Sequence, residues 1–111
     1  MNTSNQFQCS DGLPRELRAV LRIFNYDDEL RTKALPHVNI ERRSINWPKI
    51  WANDFGGGHS TAVVWAQAIW CDRVETKSDP FDRAFSMDLE LQRVVIEALA
   101  IRWGFKIGNK D

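Results

Sequence analysis

The stretch NDFGGGHST, Asn53 to Thr61, holds the residue types best suited to chemistry in this chain. Three consecutive glycines run into an imidazole and two hydroxyls, and a long apolar segment follows. Glycines ahead of a helix leave backbone N–H groups free to point at an anion, and the helix dipole favours negative charge there. A phosphate loop of the Walker type would need Gly in place of Asn53 and Lys in place of His59. A dinucleotide fingerprint needs a preceding strand and G-x-G-x-x-G spacing, and both are missing. The order Gly-Gly-Gly-His reverses the oxyanion motif of esterases, whose fold would not fit in this length. The favoured reading is therefore a turn between helices. The alternative is an anion or small-ligand site, with Gly56, Gly57, Gly58, His59 and Ser60 at one end of a pocket that Trp65 and Gln67 line.

Other reactive residues form no assignable machinery. His59 and Ser60 are sequence neighbours, whereas a nucleophile and its base meet from separate elements. His37 with Cys71 would make a thiol nucleophile, but Cys71 falls in an apolar segment, where thiols are usually inert. Asp79 and Glu90 match the ends of a calcium loop, yet Phe81, Arg83 and Ala84 occupy its ligand and glycine positions. Helix caps and dipole partners account better for Asp79, Asp82, Asp88 and Glu90. No cofactor or metal is expected, and the reading leans away from an enzyme. Arg15, Arg18 and Arg22, with Arg42 and Arg43 elsewhere, are the one hint of a nucleic-acid-binding accessory role. A recognition helix needs polar side chains at its exposed start, and STAVVWAQAIW offers mainly apolar ones. Nucleic acid is not an expected partner.

The elements that must position these residues are legible as helices. Pro14 to Phe24 places Leu13, Leu17, Val20, Leu21 and Phe24 on one face, with Ser10 or Asp11 as its cap. Asp27 to Leu35 starts with three acids, and Pro36 stops it. His37 to Ile45 is the least helical region and reads as a short strand or an extended connector. NWPKIWAND predicts a short helix opened by Asn46 and Pro48. Ser60 to Val74 is apolar nearly all round, with Ser60, Gln67 and Cys71 as its narrow polar stripe. Asp79-Pro80 opens a short helical piece carrying Phe81 and Phe85. Met87 to Trp103, capped by Ser86 or Asp88 and closed by Gly104, is the strongest helix. Its apolar face is Leu91, Val94, Val95, Ala98 and Ile101, and its wet face Glu90, Arg93 and Glu97. A short strand over 105–108 is compatible with the pattern.

These elements predict an all-α fold, a compact bundle of about five helices around a central apolar helix, with room for one or two short strands. The 111 residues make one domain, residues 1–12 being a polar, flexible N-terminus. Fifteen basic and fifteen acidic residues cancel to a formal net charge of zero, which provides no field for a polyanion. MNTSNQFQCSDG has no basic start followed by an apolar run, and no apolar run is long enough to span a bilayer. Cys9 and Cys71 form no metal or redox spacing. A cytoplasmic protein with no membrane partner is the simplest expectation.

The aromatic content is the more informative signal. Five tryptophans and six phenylalanines are many for one small core, at about 150–250 Å² each. Trp47, Trp51 and Trp70 are the candidate interface residues. The leading expectation is a non-enzymatic helical protein acting through protein–protein contacts and self-associating, in the simplest case as a dimer.

Overall fold

The computed structural model describes residues 12–77 and 79–105. The expected cap at Ser10 or Asp11, Cys9, the N-terminal stretch before Gly12 and most of the 105–108 segment lie outside the described residues. Helix α1 (Arg15–Phe24) follows Pro14, whose extended backbone leads into the first turn. Helix α2 (Asp28–Lys33) is capped by the Asp27 carboxylate, which accepts from the Leu30 N–H at 3.0 Å. Pro36 then lies inside a single 3-10 turn, Leu35–His37.

The segment after His37 is a minimal hairpin. Strand β1 (Val38–Asn39) pairs antiparallel with β2 (Ser44–Ile45), Val38 opposite Ile45, and Arg43 takes a left-handed φ of 54° in the turn. Asn46 caps helix α3 (Trp47–Trp51) by accepting from the Lys49 N–H. Helix α4 (Gly57–Cys71) starts three residues before the expected Ser60 and ends three before Val74. Its first turn takes in Gly57 and Gly58, and the missing side chain at Gly58 lets the helix pass close to Ser86. Its early end comes from Asp72, which adopts the left-handed conformation at φ 62° and terminates the helix as a glycine would. A 3-10 turn, Ala84–Ser86, leads to helix α5 (Leu89–Trp103). The Asp88 side chain caps α5 by accepting from the Leu91 N–H at 2.8 Å, and Gly104 closes it at φ 85°.

Among the described residues the result is a compact, mostly α bundle of five helices with one two-stranded sheet. The three long helices share the core: α1 packs on both α4 and α5, and those two pack on each other. Leu17, Val20, Ile23 and Phe24 from α1 meet Ala62, Val63, Ala66 and Ile69 from α4 and Leu91, Val94, Val95 and Ala98 from α5. The centre is therefore divided among three helices, with α1 fully burying the largest side chains. Among the described residues no helix is long and apolar enough to cross a membrane.

Candidate functional site

In the Asn53–Thr61 stretch, the side chains of Asn53, His59 and Thr61 and the carbonyl of Asp54 are tied to the fold. The Asn53 side-chain amide donates to the carbonyls of Lys33, Lys49 and Ile50, which joins the end of α2 to the end of α3. The Asp54 carbonyl accepts from Lys33 Nζ, and that ammonium also pairs with Glu29 at 3.1 Å and lies 5.5 Å from the centre of the Phe55 ring. Phe55 meets Trp51 edge-to-face. The three glycines then separate by role. A methyl on Gly56 or Gly57 would meet nothing, whereas one on Gly58 would lie 2.8 Å from the Ser86 carbonyl oxygen. Gly58 is thus the point where α4 approaches the 84–86 turn backbone to backbone.

His59 faces carboxylates on both ring nitrogens. Its Nε2 lies 2.6 Å from Asp27 Oδ2 and its Nδ1 3.4 Å from Glu29 Oε1. Partial burial opposes ionisation of Asp27. The hydrogen bond with His59, the Leu30 N–H and the nearby charges of His59 and Arg31 outweigh it, holding the carboxyl below its ordinary value. The imidazole therefore clasps the cap of α2 to the first turn of α4. Thr61 continues the seam: fully buried, its hydroxyl donates to the Gly57 carbonyl at 3.0 Å and lies 2.7 Å from the Ser86 hydroxyl.

The expected pocket residues are divided between places. Ser60 borders a hollow of about 250 Å³ with Trp51, Val64, Thr76 and Arg83. Gln67 accepts from the Trp51 indole N–H at 2.8 Å. Trp65 turns to the other side of α4, where it is buried and meets Phe81 edge-to-face at 4.9 Å. Of the tryptophans expected at an interface, Trp47 is buried against Phe24, and Trp51 and Trp70 are half-buried against the core. Cys71 is partly buried, and desolvation with the Glu75 charge pushes its thiol up, against the small opposing effect of Arg73. His37 bonds through its backbone to Ala34 and Asn46, and among the described residues no hydrogen bond joins it to Cys71.

The arginine stripe of α1 lies largely along α5. Arg22 pairs with Glu97 through Nη2 at 2.6 Å and Nε at 3.0 Å. The Arg15 guanidinium sits against Gly104, at the carbonyl end of α5, where a cation is favoured. Among the described residues no group of three or more His, Cys, Asp or Glu side chains is placed to hold a metal ion.

The concentration of unexplained apolar surface lies elsewhere, along the outer side of α5 and the segment before it. Phe81 is 75% exposed, Phe85 91%, Leu89 81%, Ile96 56% and Trp103 61%. Leu89, Ile96 and Trp103 follow one another at intervals of seven residues, and the half-buried Leu99 lies on the same stripe. Gln92 shares it too, but its amide is turned back to the carbonyls of Ala84 and Met87. Two hollows flank Phe81, both lined by Trp65, Phe81 and Leu99. One of about 280 Å³ runs toward Val74 and Trp103, the other of about 240 Å³ toward Met87 and Ile96. Helix α5 thus has two apolar faces, and only the inner one was assigned from the sequence. The seven-residue interval of Leu89, Ile96 and Trp103 was the signal for the outer one.

Set against family models, curated proteins and solved structures, the chain matches none of them.

Proposed function

We propose that the chain is a non-enzymatic interaction module of the cytoplasm, and that the outer face of α5 with Phe81 and Phe85 is its contact surface. One observation carries this reading: Leu89, Ile96 and Trp103, each more than half exposed, follow one side of α5, and the exposed Phe81 shares hollows with Ile96 and Trp103. Exposed apolar residues scattered singly need no explanation, but a contiguous patch of this kind marks a binding surface. Aromatic anchors beside hollows are also what dominates binding energy at protein interfaces. The side chains of Asn53, His59 and Thr61 support the reading by default, since their hydrogen-bonding capacity is turned toward the fold.

A photo-crosslinking residue in place of Ile96 tests this in cells, with the same residue in place of Glu41, on the hairpin turn, as the control. A discrete product is expected from position 96 and none from position 41. No product at position 96, or the same product from both positions, would remove the assignment.

A further inference from the structure

We infer that the occupant of the outer α5 face is a second copy of this chain, with the two α5 helices crossing antiparallel about Ile96. This rests on the interaction reading above and commits it to one partner. Two observations favour a second copy over an unlike protein, and a third shows that the face is large enough to hold one.

The first is symmetry of the stripe. Leu89 and Trp103 each stand seven residues from Ile96, about 10.5 Å along the helix axis at 1.5 Å per residue. A twofold axis at Ile96 brings Trp103 of one copy to the Leu89 end of the other. The exposed Phe85, four residues before Leu89, adds apolar surface in the segment leading to that end, and the hollow lined by Phe81, Val95, Ile96 and Leu99 lies beside the axis itself. The exposed side chains of Leu89 and Trp103 therefore sit at matching distances on either side of the axis, as a self-complementary contact requires.

The second is charge. Positions 89, 92, 96, 99 and 103 carry no charged side chain, and Arg102 at the edge is held by the Ile69 carbonyl and Asp72. Arg93, exposed three positions before Ile96, is a charge at the other edge; the stripe itself offers a charged partner helix no counter-charge, whereas a copy of the stripe needs none. The zero formal net charge lets two copies approach without overall repulsion. The third is area. Covering three aromatic side chains at about 150–250 Å² each, with Leu89 and Ile96 beside them, removes on the order of 700 Å² per copy. A standard interface takes about 800 Å² from each partner.

Sedimentation equilibrium of the full chain from low to high micromolar concentration tests the inference. The expected result is a monomer–dimer equilibrium that Ile96→Glu weakens by about 30-fold or more, the effect of losing a central contact residue. Trp103→Ala should weaken it as well, and Glu41→Ala should leave it unchanged. Far-ultraviolet circular dichroism is expected to show Ile96→Glu folded, because the side chain it replaces faces solvent. A monomer at high micromolar concentration overturns the inference, as does a dimer indifferent to both Ile96→Glu and Trp103→Ala. If the chain is monomeric while the position 96 crosslink persists at a mass other than twice the chain's own, the second copy is wrong and the interaction reading stands. If both the dimer and the crosslink are missing, both readings fall.

Discussion

At the scale of single residues, His59 and Thr61, which look reactive in the sequence, are spent on holding elements together. His59 is the clearest instance, because both of its nitrogens meet carboxylates from the other side of a loop closure. This arrangement has a pH signature. The Asp27 carboxyl is held below its ordinary value in the fold, so folding favours its ionised form. The stability it contributes is present in full above the unfolded aspartate value of about 3.9. It is lost as pH falls through that value toward the lower folded one. Asp27→Asn keeps a good helix cap while removing the charge. Thermal midpoints measured from pH 7 down to pH 3 should therefore fall less steeply in Asp27→Asn than in the wild type, and His59→Ala should move the same way. An identical acid-side slope in all three proteins would mean that this pair contributes nothing. None of the pairing was legible in the sequence: Asp27 and His59 lie 32 positions apart, and only the folded path of α2 and α4 brings them together. The cap role of Asp27 was legible, because a cap depends on residues three positions away.

At the scale of elements, the helices announced themselves and their junctions did not. Asp27, Asn46, Asp88 and Gly104 act within a few residues of where they stand, and local signals of that kind survive without knowledge of the tertiary structure. Helix α4 was read too far toward its C-terminus because its left-handed terminator is Asp72 and not the glycine that usually marks a helix end. The glycine run was read as a turn, and the reason for one of its members came from another element altogether. The three glycines should therefore behave differently. Gly57→Ala places a methyl in open space within the first turn of α4 and lowers the entropy of the unfolded chain. It should stabilise the protein by about 0.4–1 kcal/mol. Gly58→Ala pushes against the Ser86 carbonyl and should destabilise it by about 1–3 kcal/mol. Chemical denaturation of the two variants decides the matter through the sign of each change, and a stabilising Gly58→Ala would show that the α4 contact with the 84–86 turn yields freely. The outer stripe of α5 was hidden for a related reason. Its residues share one helical period with the inner face, so a single search for amphipathicity finds the core stripe and stops.

At the scale of the molecule, the aromatic side chains run from buried, through half-buried Trp51, Phe55 and Trp70, to exposed. Trp47 and Trp65 are buried, with Phe24 fully so, and they complete a core that three helices share. Phe81, Phe85, Trp103 and Phe105 stay largely exposed, and no polar function asks for them there. A chain that binds a second copy of itself in the folded state alone must gain stability with concentration, since mass action draws unfolded chains into the dimer. Each tenfold rise in protein concentration adds about 1.4 kcal per mole of dimer to the free energy of unfolding. For a domain of this size that raises the melting temperature by a few degrees. Differential scanning calorimetry across two decades of concentration should show such a rise in the wild type. It should show almost none in Ile96→Glu, whose melting temperature should approach that of the dilute wild-type protein. The test separates the outer face from the core: a core defect would lower the melting temperature equally at every concentration, while loss of the contact removes only the concentration dependence. A wild-type melting temperature independent of concentration would leave those exposed aromatics without a second copy to cover them.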